Sequence, residues 1–128
     1  MNIPGDLLYT KDHEWIRVDG KNGVIGITEF AQKELGDIVF VDVDTEGETL
    51  SAEETFGTIE AVKTVSEMFM PVSGTVDEVN ALLADAPETV NSSPYDEGWF
   101  FRVTPDDVAD LDEALDASEY RELLESDE

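Results

Sequence analysis

Every strand-like run in this chain is cut short by turn residues, and that rhythm restricts the possible folds more than any other feature. In HEWIRVDGKNGVIGIT, Trp15, Arg17 and Asp19 alternate with Ile16 and Val18. The chain then turns at Asp19-Gly20-Lys21-Asn22-Gly23, and Val24, Ile25 and Ile27 resume. Two such runs about a glycine-rich turn predict a hairpin. DIVFVDVD is short and rich in Val, Ile and Phe, which predicts a buried strand before the turn-prone TEGE. The run ETFGTIEAVKTVSEMFMPV divides into two strand-like halves around Ala61 to Thr64. SGTVDEVNA restarts after a glycine, and WFFRVT supplies a last strand. Many short strands bury their apolar sides only by facing one another in layers, so the expected fold is mainly β, a flattened barrel or sandwich.

A few segments depart from this rhythm. TEFAQKELGD has Thr28 as N-cap, Glu29 in the first turn where the helix dipole favours negative charge, Phe30, Ala31 and Leu35 as apolar positions, and Gly36 as the stop. ADAPETVNSSPYDEGW is punctuated by Pro87, Pro94 and Gly98 and is expected to be loop with at most a short helix. From Thr104 the period turns helical, with Thr104 as N-cap, Pro105 at the first helical position and Asp107 three residues past the cap. Val108, Leu111 and Leu115 follow at helical spacing, and after Asp116 a second segment carries Tyr120, Leu123 and Leu124. A chain of 128 residues with 41% hydrophobic content suits one domain, 1–128, ending in a helical segment over 105–128.

Charge narrows the setting. There are 32 acidic residues against 7 basic, a formal net charge of −25. Self-repulsion on that scale is best tolerated in concentrated salt, where the Debye length falls to about 3 Å at 1 M. A halophile's cytoplasm is the expected setting, with an acidic surface that docks basic partners as the rival. No basic stripe exists to meet phosphates, which argues against nucleic acid. The absence of cysteine removes disulfides, thiolate nucleophiles and Cys-type metal sites. No signal-like start and no membrane-length apolar run are found, so a soluble cytoplasmic protein is expected.

The hairpin expected around Ala61 to Thr64 places Lys63 near its tip, exposed between Val62 and Thr64 and within reach of a modifying enzyme. A solvated charge is the plainer reading of position alone. A catalytic lysine needs burial or a neighbouring cation to lower its pKa, whereas Glu60 and Glu67 act the opposite way.

YTKDHEW, GIT with FAQKELGDIVFV, EAVKTVSEMFMPVSGTVDEVN and NSSPYDEGWFF resemble, in this order, segments of the glycine cleavage system H proteins. The resemblance runs from about Leu8 to Val103 and extends to DASEYRELL in the tail. It implies a barrel-sandwich hybrid of the lipoyl- and biotinyl-carrier type, with a lipoyl-binding core over about 22–104. It also implies lipoate in amide linkage to Lys63, within Glu60-Ala61-Val62-Lys63-Thr64 where the family usually reads Glu-Ser-Val-Lys-Ala. The implied role is that of a non-catalytic carrier, shuttling the aminomethyl group of glycine from a pyridoxal-phosphate glycine decarboxylase to a tetrahydrofolate-dependent aminomethyltransferase. Dihydrolipoyl dehydrogenase and a lipoylating enzyme are the other implied partners.

By the same resemblance, Glu14 lies near the cleft that receives the loaded arm, where a carboxylate pairs with an ammonium; alternatively it is one more surface acid. His13, the only histidine, reads as a structural or surface group, and one histidine without cysteine is poor metal-site material. Phe56, Met68, Phe69 and Met70 either line that cleft or form plain core, and Asn91 and Tyr95 read as a turn-stabilising pair. Competing functions are a lipoyl donor to other enzymes, a biotin carrier and an acidic interaction domain without a prosthetic group. The methionines that usually flank a biotinyl lysine are absent at Val62 and Thr64.

Overall fold

The computed structural model describes residues 2–126. Its strands in chain order are β1 (Leu8–Tyr9), β2 (Glu14–Asp19), β3 (Asn22–Ile27), β4 (Ile38–Asp42), β5 (Thr49–Leu50), β6 (Thr55–Ala61), β7 (Val65–Phe69), β8 (Gly74–Val79) and β9 (Phe101–Pro105). All the pairings are antiparallel, in a six-stranded sheet ordered β1-β2-β3-β9-β8-β5 and a three-stranded sheet ordered β4-β6-β7. The fold is the mainly β sandwich with short helices expected from the rhythm of turns.

The first hairpin pairs Glu14 with Ile27 at its open end and Asp19 with Asn22 at its tip. Gly20 has a φ of 63° and Lys21 is not among the residues of positive φ, the pattern of a type II′ turn. Along β2 the simple alternation fails, because Trp15 and Ile16 are both fully buried. Ile16 faces the sandwich core with Ile25, Phe56, Ile59, Met70, Val76 and Phe101, whereas Trp15 faces a second cluster with Leu7, Tyr9, Val24, Tyr95 and Tyr120. The larger sheet is therefore covered on both faces where β2 runs. Burial of the aromatic cluster is made affordable by its hydrogen bonds, such as Trp15 Nε1 donating to the Pro94 carbonyl at 2.8 Å.

The helix after β3 forms as expected: α1 (Glu29–Leu35) starts at Thr28, whose hydroxyl accepts from the Ala31 N–H at 3.3 Å, and stops at Gly36. β4 corrects the reading of DIVFVDVD as buried. A register shift between Ile38 and Phe40 keeps Ile38 and Val41 inward and leaves Val39 and Phe40 half exposed on an edge strand. The segment expected to hold at most a short helix contains one, α3 (Thr89–Ser92), and just before it α2 (Leu82–Asp85) ends at the segment's start.

The helical start expected at Thr104 is also corrected. β9 runs through Pro105, and the Thr104 hydroxyl donates to the Asp77 carboxylate instead of capping. Asp107 is the cap, accepting from the Ala109 N–H at 3.0 Å, and a 3-10 helix follows over Val108–Glu113. α4 (Ala117–Ser126) opens on a reciprocal box, with Asp116 accepting from the Glu119 N–H at 2.8 Å and Glu119 accepting from the Asp116 N–H at 3.1 Å. The final positions of the 105–128 segment, 127 and 128, lie outside the described residues, as does residue 1 of the expected domain. Among the described residues no helix is long and apolar enough to cross a membrane.

Candidate functional site

β6 and β7 pair up to Glu60 opposite Val65, and the Ala61 N–H donates to the Thr64 carbonyl at 2.8 Å, closing a tight turn with Val62 and Lys63 at its tip. The Val62 N–H donates to the Asp37 carbonyl at 3.0 Å, which ties the tip to the chain just past α1. Lys63 is exposed, as are Glu60, Val62 and Thr64.

The lysine's stem passes over Gly36, where an added β-carbon would stand 3.2 Å from Cε. Gly36 holds a φ of 84°, a left-handed backbone that favours glycine. Asn91 secures this floor. Its Oδ1 accepts from the Ile38 N–H at 2.9 Å, while Nδ2 donates to the Gly36 carbonyl and to Gln32 Oε1, both at 2.8 Å. Asn91 is thus no turn stabiliser but a link from α3 to the end of α1 and the start of β4. Tyr95 is likewise a long-range clasp, its hydroxyl accepting from the Glu29 N–H at 3.0 Å and donating to the Asn2 carbonyl at 2.7 Å.

Alongside α1 lies a cleft of about 300 Å³, whose walls include Phe30, Ala31 and Leu35 of α1, Ile27 of β3, and Met68 and Phe69 of β7. Phe56 and Met70, by contrast, are fully buried core. Glu14 borders this cleft and is only 2% exposed, so it is not one more surface acid. Its Oε1 accepts from the Thr10 hydroxyl at 3.3 Å, and its Oε2 is buried without a hydrogen-bond partner. Burial, reinforced by the charge of Asp12, pushes the carboxyl well above its ordinary range, against the opposing bond from Thr10. Asp12, Lys11 and Glu34 also border the cleft, leaving its rim acidic apart from Lys11.

His13 holds the edge of the cleft rather than acting in it. Its ring lies 4.6 Å from that of Phe30, and Nδ1 is 2.9 Å from the Tyr120 hydroxyl, which lies 2.8 Å from Thr28 Oγ1. Burial raises the Tyr120 phenol to about 12, so it stays a neutral hydrogen-bonding group at ordinary pH. A larger hollow of about 390 Å³ beside Pro71–Ser73 has no unpartnered buried side-chain atom like that of Glu14. No group of three or more His, Asp or Glu side chains suited to a metal occurs among the described residues.

The sequence alone does not mark the cleft residues Phe30 and Leu35, the Thr10 hydroxyl that bonds Glu14, or the floor at Gly36 as site residues. Phe30, Ala31 and Leu35 were readable as one helix face, but nothing local showed that this face lines a cleft. Thr10 carries no sequence signal of its own.

The sandwich thus presents an exposed lysine on a tethered hairpin, beside a cleft that runs along α1 and is bordered by the buried carboxyl of Glu14. The model of the family described as glycine cleavage H-protein matches residues 7–127. Glycine cleavage system H proteins of Bacteroides fragilis and Chlorobium limicola are 54% and 57% identical to this chain, each match covering 97% of it and 98% of the relative. The crystal structure of the glycine cleavage system H protein from Mycobacterium marinum superposes with a TM-score of 0.84 at 44% identity, over 94% of this chain and 97% of that one. The chain belongs to the glycine cleavage H-protein family. Its role as a lipoyl carrier subunit, and not a catalyst, follows from that membership.

Proposed function

We propose that Lys63 is the attachment point for lipoate, through an amide at Nζ, and that Glu60, Val62 and Thr64 form its immediate recognition setting. By this reading the chain takes the aminomethyl group of glycine from a pyridoxal-phosphate glycine decarboxylase to a tetrahydrofolate-dependent aminomethyltransferase, in the cytoplasm. Dihydrolipoyl dehydrogenase and a lipoylating enzyme complete its partners. When bound, lipoate supplies the sulfur that takes up the one-carbon unit and the dithiol couple that is afterwards reoxidised.

The observation that carries the proposal is the pairing of an exposed, tethered lysine with a cleft bordered by a buried carboxyl that has one oxygen without a hydrogen-bond partner. Val62 and Asp37 hold the tip in place, Gly36 leaves room for the lysine's stem, and α1 and β7, which flank the tip, both line the cleft. The unsatisfied Oε2 of Glu14 fits an ammonium-bearing cargo, which would supply its missing hydrogen bond and favour its ionised form. Apolar walls from Phe30, Met68 and Phe69 would keep water away from such a group. The chain acts as one domain, with a carrier core over about 22–104, Glu14 supplied from outside it, and the described part of the tail packed on the sheet through Leu111, Leu115 and Tyr120. Peptide mapping by mass spectrometry of protein purified from its own host tests the site. A lipoyl adduct on the peptide containing Lys63 supports it, and a lipoyl adduct on another lysine overturns it.

We also infer that the acidic surface is suited to concentrated salt, as in a halophile, because a formal charge of −25 needs screening. The thermal midpoint should climb steeply from dilute buffer to molar potassium chloride. A flat or falling midpoint rejects the inference.

A further inference from the structure

The outer face of the three-stranded sheet is apolar where it approaches Lys63. Phe40 of β4 stands opposite Glu60 of β6, and Glu60 stands opposite Val65 of β7, so these three side chains form one row across the sheet on its solvent side. Phe40 is 48% exposed and Val65 63%, and beside them stand Val39 at 50% and Val62 at 75%. The β4 bulge is what turns Val39 and Phe40 outward together. The next row on the same face, Asp42, Thr58 and Glu67, is acidic at both ends. Four large apolar side chains around one exposed lysine, bordered by carboxylates, are the layout of a docking patch and not of solvated surface.

We propose that this face docks the enzyme that acylates Lys63, through a partner surface with an apolar centre and a basic rim. The proposal rests on Lys63 being the attachment point. The choice of partner follows from reach. An enzyme that meets cargo at the far end of the lipoyl arm can act while standing an arm's length from the sheet. The acylating enzyme has no arm to use: the lysine Nζ itself must enter its active site, so its surface must press on the residues at the base of Lys63. With an ATP-dependent ligase, Nζ attacks the carbonyl carbon of the lipoyl adenylate. The amide C–N bond forms, AMP leaves with the electrons of the C–O bond, and the amine's proton passes to solvent. Basic groups on the enzyme's rim suit the bordering carboxylates of Asp42 and Glu67, and one of them reaching inward suits Glu60 between Phe40 and Val65.

The test uses the full chain in its unlipoylated form, a lipoate–protein ligase, ATP and lipoate, with intact mass as the readout. Phe40→Ser and Val65→Ser remove exposed apolar surface and leave the core intact. Together they should lower kcat/KM for acylation at least about tenfold, roughly 1.4 kcal/mol. The same variant, driven to full loading with excess ligase, should then be reduced by NADH and dihydrolipoyl dehydrogenase within about twofold of the wild-type rate, since that enzyme meets only the arm's end. Circular dichroism and the thermal midpoint establish that the variant is folded. Acylation within twofold of wild type overturns the proposal. So does an equal loss in both assays, which would make the patch a general docking face. Loading of a Lys63→Arg control would instead refute the attachment site itself, which keeps the two failures apart.

Discussion

Two hairpins of this molecule each raise a lysine on an exposed tip, and the surroundings of those tips differ. Lys21 follows Gly20 in the two-residue turn between β2 and β3, and an added β-carbon at Gly20 would meet nothing within 4 Å. Lys63 sits on a tip whose backbone is bonded to Asp37, with its stem against Gly36 and with Val62 and Val65 exposed around it. A lysine at a tip is thus only a solvated charge until neighbouring elements fix its base and give a partner something to grip. The β2–β3 hairpin contributes at its opposite, open end, where Glu14 pairs with Ile27 and both border the cleft. On the proposed reading, one hairpin presents, and the other receives.

The strongest way to break this comparison is to exchange the lysines one at a time. Lys63→Arg should abolish lipoylation while leaving charge and fold intact, because a guanidinium does not serve as the acyl acceptor; Lys21→Arg should leave lipoylation unchanged. Intact masses of both variants, produced with a lipoylating system, decide it. Loading that depended on Lys21 would reverse the roles of the two tips.

A smaller effect is expected at the receiving end. The Glu14 carboxyl is held above its ordinary value near 4.5, so the folded chain keeps this proton longer than the unfolded chain does. Below 4.5 both states are protonated and the group carries no penalty. As pH rises the unfolded state ionises first, and the folded state loses stability until its own higher pKa is passed. Glu14→Gln removes that loss. The variant should gain steadily on the wild type as pH rises above the carboxyl's ordinary value. Denaturant unfolding of both proteins at fixed high salt measures the difference, and a gap independent of pH would mean that Glu14 is freely solvated.

The smallest effects separate the two glycines. Gly20→Ala and Gly36→Ala each force a side chain into positive φ, at about 1 kcal/mol of stability. Only the second also pushes a β-carbon toward Lys63 Cε. Acylation rates should therefore drop several-fold for Gly36→Ala and stay level for Gly20→Ala. Equal rates in the two variants would show that the floor under Lys63 plays no part in its presentation.

Much of this was legible in the sequence where local chemistry decides conformation. The hairpin around Gly20, the Thr28 cap, the Gly36 stop and the two halves about Lys63 all depend on residues within a turn of one another. Resemblance to a family, and not periodicity, pointed to Lys63 and Glu14 as a working pair. What failed depended on distant partners. Ile-Val-Phe-Val reads as buried unless a bulge is known to rotate two of the side chains outward. Thr104 and Pro105 have the composition of a helix start, but pairing with β8 carries the strand through them. Glu14 could be placed inside or outside only once α1 and β7 had closed over it, and Asn91 announced nothing of its bonds to Ile38, Gln32 and Gly36.

The aromatic clasp has a consequence in time. Tyr120 bonds to His13 across 107 residues and to Thr28 across 92, and its ring stacks on Tyr9 at 4.7 Å. On a ribosome adding about 5–20 residues each second, His13 waits roughly 5–20 s for that partner to be synthesised. Until then the Trp15 side of the first hairpin has no lid, and the edge of the cleft has no latch. A nascent chain could display Lys63 well before His13 is seated. The receiving end would then mature after the presenting end, and a carrier lipoylated early in synthesis would hold its arm before it had a finished place to shelter it.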